Sequence, residues 1–299
     1  MVHDNGAMPR RWSRWLLSTL AGAVLASIAV DAQRAPSIAD LLQTADTYLV
    51  QYSHRLSAVT AEEAYAQFDT SAEKMRTRRR LSADVVLYGF PDGSVAAFRD
   101  VFAIDSVPVR AREDRLTALL RHADPSSSLD QARRLTDDSV HHYLSPNLHA
   151  LDQPTIALEF LRKANHERST FTVERVKTTA DGRIAVLKFT ERSTPRLVLL
   201  AGNGGAVGRF WIDVASGTVR QTEIGIAGEG VSVRATVKYD LHPTLHLWLP
   251  VEMVQQIASG GRGDSTFSAM GGGPGYRMRE AYEGRATYSN FRPVAADTR

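Results

Sequence analysis

The chain has 299 residues, 43% of them hydrophobic and 23% charged, which suits one large globular domain or two small ones and excludes disorder of the whole. The formal net charge of +3 is spread along the chain, and the densest basic run (Arg76, Arg78, Arg79, Arg80) has no aromatics interleaved, so nucleic acid is not an expected partner. Cysteine is absent, which excludes disulfides, thiolate nucleophiles, cysteine-type zinc sites and the acylated cysteine of a bacterial lipoprotein.

Residues 1–32 read as an export signal. Arg10, Arg11 and Arg14 form a positive start, Trp15 to Val30 is an uncharged and mostly apolar run, and Val30, Asp31 and Ala32 form a site of the small-residue kind that signal peptidase cuts. The expectation is a periplasmic or secreted protein comprising residues 33–299. An uncleaved N-terminal anchor is the alternative, although the run is on the short side for a spanning helix of about 20 residues. No other segment is long and apolar enough to span a membrane.

The mature chain opens with "SIADLLQTADTYLVQYSHRL". Ser37 stands at a capping position with Asp40 three residues on, and Ile38, Leu41, Leu42, Ala45, Leu49, Tyr52 and Leu56 recur every three or four residues. This is an amphipathic helix that must lie on something. "SAVTAEEAYAQF" fits helix or strand. Its adjacent Glu62 and Glu63, if in a strand, point to opposite faces and read as surface carboxylates rather than as a general acid and base. Three strands follow: "RRLSADVVLYGF", "SVAAFRDVFAI" and "VPVRA", the first two joined at the turn Pro91 to Gly93.

From Glu113 to Arg162 the period becomes helical, in "REDRLTALLRH", "SLDQARRLTDDSVHHYL" and "PTIALEFLRK", with Pro154 suited to the first turn of the third helix. This reads as a helical insert at about 112–164. Beyond Arg168 come seven strand-like runs, from "STFTVERVKT" to "EAYEGRATYSNF", separated by short turns and one glycine-rich loop at about 259–275, which is expected to be flexible. The "RGD" at Arg262 to Asp264 inside that loop reads as chance.

The fold class is therefore α+β. One large antiparallel sheet of about ten strands is expected to curl into a half-barrel, because open twisted sheets rarely exceed about ten strands flat. The N-terminal helix and the insert are its natural covers on the concave face, within a single domain over residues 33–299.

The hairpin "GRFWIDVASGTVRQTEI", the strand "LWLPVEM" and the closing "GRATYSNFR" together resemble the curled-sheet superfamily of the bacterial lipoprotein-localisation factors (LolA/LolB type) and the related periplasmic sigma-factor regulators (RseB type). The resemblance covers Gly208 to Phe291, fits the start from Ser37 more loosely, and leaves the insert unmatched. It implies the half-barrel and a hydrophobic ligand class, a lipid or lipoprotein acyl chain. None of the carriers' lid-locking or cargo-releasing residues maps onto this chain.

Candidate ligand-lining residues are Phe210, Trp211, Ile212, Val233, Val237, Leu247 and Leu249 on the strands, and Leu41, Leu42 and Ala45 on the helix. Phe210 and Ile212 share one face of their strand, and Trp211 takes the other. Each of these residues reads either as sheet core or as ligand wall. Pro250 cannot donate to a ladder, so it belongs at a bulge or an edge. No nucleophile-elbow, zincin, phosphate-loop or dinucleotide motif occurs. His141 and His142 diverge by about 100° on a helix, His242 and His246 flank a proline loop, and "NHER" at Asn165 to Arg168 reads as a polar turn. No catalytic residue, metal or cofactor is expected. Three classes of function remain: a carrier or binder of hydrophobic cargo, which needs a cavity between sheet and helices; a non-catalytic interaction or sensor module for an envelope protein, which needs a filled core and an exposed edge or patch; and a hydrolase with an unfamiliar site.

Overall fold

The computed structural model describes Met1 and residues 36–71, 75–121, 125–144, 149, 151–199, 204–228, 230–262 and 276–294. All but Met1 of the expected signal at 1–32, and most of the glycine-rich loop, lie outside the described residues. The backbone of 259–262 continues a strand.

Helix α1, Ile38–Leu56, carries Asp40 in its first turn and His54 and Arg55 in its last, in keeping with the helix dipole. It buries the stripe Leu41, Ala45, Leu49, Tyr52 and Leu56. Two glycines let it sit directly on the sheet. A β-carbon on Gly89 would meet the Ser53 carbonyl oxygen at 2.0 Å, and one on Gly217 would meet that of Thr44 at 2.3 Å.

Eleven strands are described: β1 (Ala58–Asp69), β2 (Arg76–Gly89), β3 (Val95–Ile104), β4 (Val107–Pro108), β5 (Ser169–Thr179), β6 (Gly182–Glu191), β7 (Val207–Asp213), β8 (Val219–Gly228), β9 (Val231–Leu241), β10 (Trp248–Arg262) and β11 (Tyr276–Pro293). They form one sheet in the order β4-β3-β2-β1-β11-β10-β9-β8-β7-β6-β5. Every neighbouring pair is antiparallel, and every pair except β1 with β11 joins strands consecutive in the chain. The sheet does not close, and bulges bend it. One lies between Pro250 and Glu252, where the missing proline N–H interrupts the ladder to β9.

The concave face carries the main core. Val59 and Tyr65 of β1, Val85 and Leu87 of β2, Leu187 and Phe189 of β6, Phe210 and Ile212 of β7, and Val233 and Val237 of β9 all point into it. Two 3-10 helices, η1 (Ile156–Leu161) and η2 (Lys163–Arg168), replace the expected third α-helix. At three residues per turn, Ala157 stacks over Phe160 and Leu158 over Leu161, so all four buried side chains of η1 share one side. Phe160 then stacks on Phe189, with ring centroids 4.6 Å apart, and Phe189 on Phe210, 4.9 Å apart.

The insert divides between two faces. Of its second part, Tyr143, Leu151, Ala157, Leu158, Phe160 and Leu161 lie in the concave core with α1. Its first part, α2 (Arg115–Arg121) and α3 (Pro125–Val140), packs on the opposite phase of β2 and β3, where Val86, Phe98, Leu116 and Ala132 form a separate core. The expected strand "VPVRA" shrinks to two residues. Beyond it Arg110, Arg112 and Arg115 turn to outer-face carboxylates: Arg110 and Arg115 bind Asp100 at 2.6 Å, and Arg112 binds Glu62 at 2.6 Å and Asp84 at 2.8 Å.

The two faces of β7 differ in what truncation removes. Phe210→Ala empties a fully buried site and is expected to cost about 3–5 kcal/mol in urea unfolding, whereas Trp211→Ala, half-buried on the other face, costs clearly less. Equal losses would contradict this assignment of faces.

Candidate functional site

Nine of the ten candidate lining residues lie on the concave side or on α1 above it. Phe210, Ile212, Val233, Val237, Leu247 and Leu249 are buried in the main core together with Leu41 and Ala45, and Leu42 packs half-buried against it. They are joined by the phenylalanine stack, which occupies the middle of the space between η1 and the sheet. Trp211 is separated from the rest. Its ladder partners are Val186 on β6 and Gln221 on β8, and all three side chains face outward.

That outward row continues in both directions. Val186 pairs with Arg175 of β5, Gln221 with Lys238 of β9, and Lys238 with Glu252 of β10. With Ile184, Arg220 and Val251 these residues line a groove of about 520 Å³ on the outer face. Val186 and half-buried Trp211 and Val251 supply an apolar floor. Arg175, Lys177, Arg220 and Lys238 stand around it against the acids Asp240 and Glu252. Lys238 is paired with Glu252 at 2.9 Å, while the Arg220 guanidinium lies 3.7 Å over the Trp248 ring. The Arg220 Nε is buried and has no hydrogen-bond partner among the described residues.

The concave face also holds charge, which corrects the surface reading of Glu63. Glu63 is 2% exposed and grips Arg99, itself 4% exposed, through Nε at 2.6 Å and Nη2 at 2.8 Å. Arg99 reaches the insert as well, donating from Nη1 to Asp152 Oδ2 at 2.8 Å and from Nη2 to the Asp152 carbonyl at 3.0 Å. Tyr143 donates its hydroxyl to the same carboxylate at 3.2 Å. Nearby, Tyr65 donates to Gln255 at 2.6 Å, and Gln67 accepts the Leu144 N–H at 2.9 Å. One guanidinium thus serves two carboxylates, and burial pushes the Asp152 carboxyl above its usual range, against Arg99 and with help from Glu63. The cluster is sealed by packing, so it fastens the insert to β1 and β3 and offers no open face to a substrate. Sequence reading missed Arg99 and Asp152. The available signal was phase, because Arg99 alternates with Ala97 and Val101 on the buried face of β3.

Glu62 sits on the outer face with Arg112, as alternation requires. His242 accepts the Leu245 N–H on Nδ1 and His246 gives its carbonyl to Arg55, so both serve a turn. Among the described residues no group of three or more His, Asp or Glu could hold a metal ion, and no helix is long and apolar enough to cross a membrane.

No protein-family model matches the sequence, and no curated protein does. Similar solved structures include a Vibrio parahaemolyticus domain provisionally assigned to outer membrane lipoprotein sorting, at 11% identity over 84% of this chain and 91% of that one, with a TM-score of 0.35. A DUF1329 family protein from Desulfovibrio piger matches at 8% over 84% and 92%, TM-score 0.37. A LolA superfamily protein from Nitrosomonas europaea matches at 11% over 84% and 92%, TM-score 0.33.

The buried cluster sets a pH dependence. A carboxyl whose folded pKa is raised binds its proton more readily in the folded state, so its contribution to stability falls as pH rises from its ordinary value of 3.8 through the raised one. Asp152→Asn removes that slope, and the stability difference between variant and parent should move toward the variant as pH increases through this window, read by urea melts at several pH values. Arg99→Met, which strands two buried carboxylates, is expected to cost about 3–5 kcal/mol at neutral pH.

Proposed function

We propose that the protein is an exported, non-catalytic binding protein of the cell envelope whose ligand is an amphiphile, a lipid or the acyl part of a lipoprotein, held on the curled sheet. The observation that carries this reading is the outer groove. Its volume falls within the usual range of small-molecule sites, and it joins an aliphatic and aromatic floor to a basic rim. An apolar chain would lie on Val186, Trp211 and Val251, with an anionic group toward Arg175, Lys177 and Arg220. Each of these side chains comes from a different strand or a different register position, so a properly formed sheet is needed to assemble them.

A second placement of the same ligand is between α1 and the concave face. The apolar stripe of α1 over an apolar floor favours it. Phe160, Phe189 and Phe210 fill the centre of that space, so a ligand there must displace η1 and draw on an open state of the lid. Neither placement uses a nucleophile or an acid–base pair, and the buried carboxylates are engaged by Arg99.

The test is native mass spectrometry of the protein purified from the envelope fraction of an expressing host, followed by organic extraction. A stoichiometric acyl lipid is expected. Tryptophan quenching by a brominated fatty acid, in residues 33–299 carrying Trp248→Phe so that Trp211 is the one tryptophan left, then separates the placements. Quenching of Trp211 supports the groove, and binding without quenching supports the concave face. A protein that carries no lipid and binds none from a panel of fatty acids and phospholipids would refute the amphiphile reading in both forms.

A further inference from the structure

The two ends of the open sheet are treated differently. At the β3 end the backbone groups are covered. Strand β4 takes Ala103 and Ile104, and farther along the edge the Arg99 N–H donates to Thr136 Oγ1 at 2.9 Å and the Val101 N–H to Ser139 Oγ at 3.1 Å. Both hydroxyls belong to α3 and donate their own protons to the carbonyls of Ala132 and Leu135, so the helix supplies acceptors to the edge without losing satisfaction itself. At the other end, β5 pairs with β6 along its length and, among the described residues, with no strand on its far side. Alternate residues of such an edge direct N–H and C=O away from the sheet.

The side chains of β5 state what would fit there. Phe171, Val173 and Val176 pair with Phe189, Leu187 and Ala185, which places them on the concave phase, where they are only half-buried at the rim. Arg175 and Lys177 pair with Val186 and Ile184 on the outer phase and are exposed. Neither has an ion-pair partner among the described residues, while the adjacent Glu174 is held by Arg209 at 2.8 Å. A strand laid along β5 would therefore meet an apolar row on one face and unneutralised positive charge on the other.

We propose that β5 is a docking edge for an extended segment of a partner protein in which apolar and acidic residues alternate, added to the sheet as a further strand. Main-chain hydrogen bonds to the free edge give affinity, apolar residues cover Phe171, Val173 and Val176, and acidic residues meet Arg175 and Lys177. Charge selects the occupant. A second copy of this chain pairing through the same edge brings Arg175 and Lys177 toward their own equivalents, and such like-charge juxtaposition disfavours self-association. The proposal shares Arg175 and Lys177 with the amphiphile reading but rests on the free backbone of the edge, so loss of binding on backbone methylation, which a ligand in the groove would not require, tells the two apart.

The probe is a fluorescein-labelled nine-residue peptide alternating valine and glutamate, titrated into the whole chain by fluorescence anisotropy, beside a lysine-for-glutamate peptide and a glutamate peptide with alternate backbone nitrogens methylated. Binding of the glutamate peptide alone is expected, weakening as salt is raised, with hydrogen exchange slowed at amides of β5. The double variant Arg175→Glu, Lys177→Glu should keep the parent's thermal melt, since both residues are exposed, while losing at least about tenfold in affinity for the glutamate peptide and gaining affinity for the lysine peptide. Equal binding of both charged peptides, binding that survives backbone methylation, protection confined to other strands, or no binding would overturn the proposal. So would a concentration-dependent dimer whose formation the glutamate peptide blocks.

Discussion

Everything else in this molecule depends on the pairing of β1 with β11. Those two strands are the only neighbours in the sheet that are distant in sequence, and without their ladder the chain would hold two unconnected meanders, β4 to β1 and β11 to β5. Bringing strand partners together across most of the chain costs loop-closure entropy, which grows only slowly with length. The return is a single concave face broad enough to bury α1 and the second part of the insert. Tyr65 on β1 donating to Gln255 on β10, beneath the β11 strand that separates them, ties the two halves side chain to side chain across the seam.

The buried charges sit beside this seam. A Glu63–Arg99–Asp152 cluster with hydrophobic substitutes of equal volume could be as stable or more so. What apolar residues would not supply is direction. The Arg99 fork donates to both oxygens of a carboxylate from β1 on one side and to the side chain and the backbone carbonyl of Asp152 on the other, so it fixes where the insert returns to the concave face. On the outer face the same alternation sends Glu62, Asp84 and Asp100 to the arginines of the segment that leads into α2. The insert is thus fastened by charge on both sides of β1 to β3, which explains how one stretch of chain contributes to two separate cores.

Much of this architecture is legible in the sequence because it rests on local period. The stripe of α1, the alternating row Val231, Val233, Ala235 and Val237, and the proline that forces a bulge at Pro250 are each written in a few adjacent residues, and the sheet follows from counting such runs. The resemblance carried by the "GRFWIDVASGTVRQTEI" hairpin pointed to the same half-barrel. What period does not contain is partnership between distant positions. Arg99 stands on the buried phase of its strand, and Glu63 on that of β1 between Ala61 and Tyr65, so their burial was open to inference. That Asp152 completes the cluster was not, since it lies 53 residues from Arg99 in a segment without period. The outer groove was hidden for the same reason. Trp211 was legible as an outward residue, but the groove around it draws its lining from six strands, and those come together only once every register is known.

The sheet's two faces and two ends differ in how far their polar groups are already engaged. Much of the polarity buried on the concave side is engaged internally, Arg99 with its carboxylates, Tyr143 with Asp152 and the Gln67 side-chain carbonyl with the Leu144 N–H, while Tyr52 Oη and Gln67 Nε2 are buried without a hydrogen-bond partner among the described residues. On the outer side Trp211 floors the groove, Arg175 and Lys177 stand at the free edge without ion-pair partners among the described residues, and Arg220, stacked on Trp248, keeps a buried Nε without a hydrogen bond. The concave interior thus puts its charge into fixing the path of the insert, while the outer face brings apolar surface and positive charge together around Trp211.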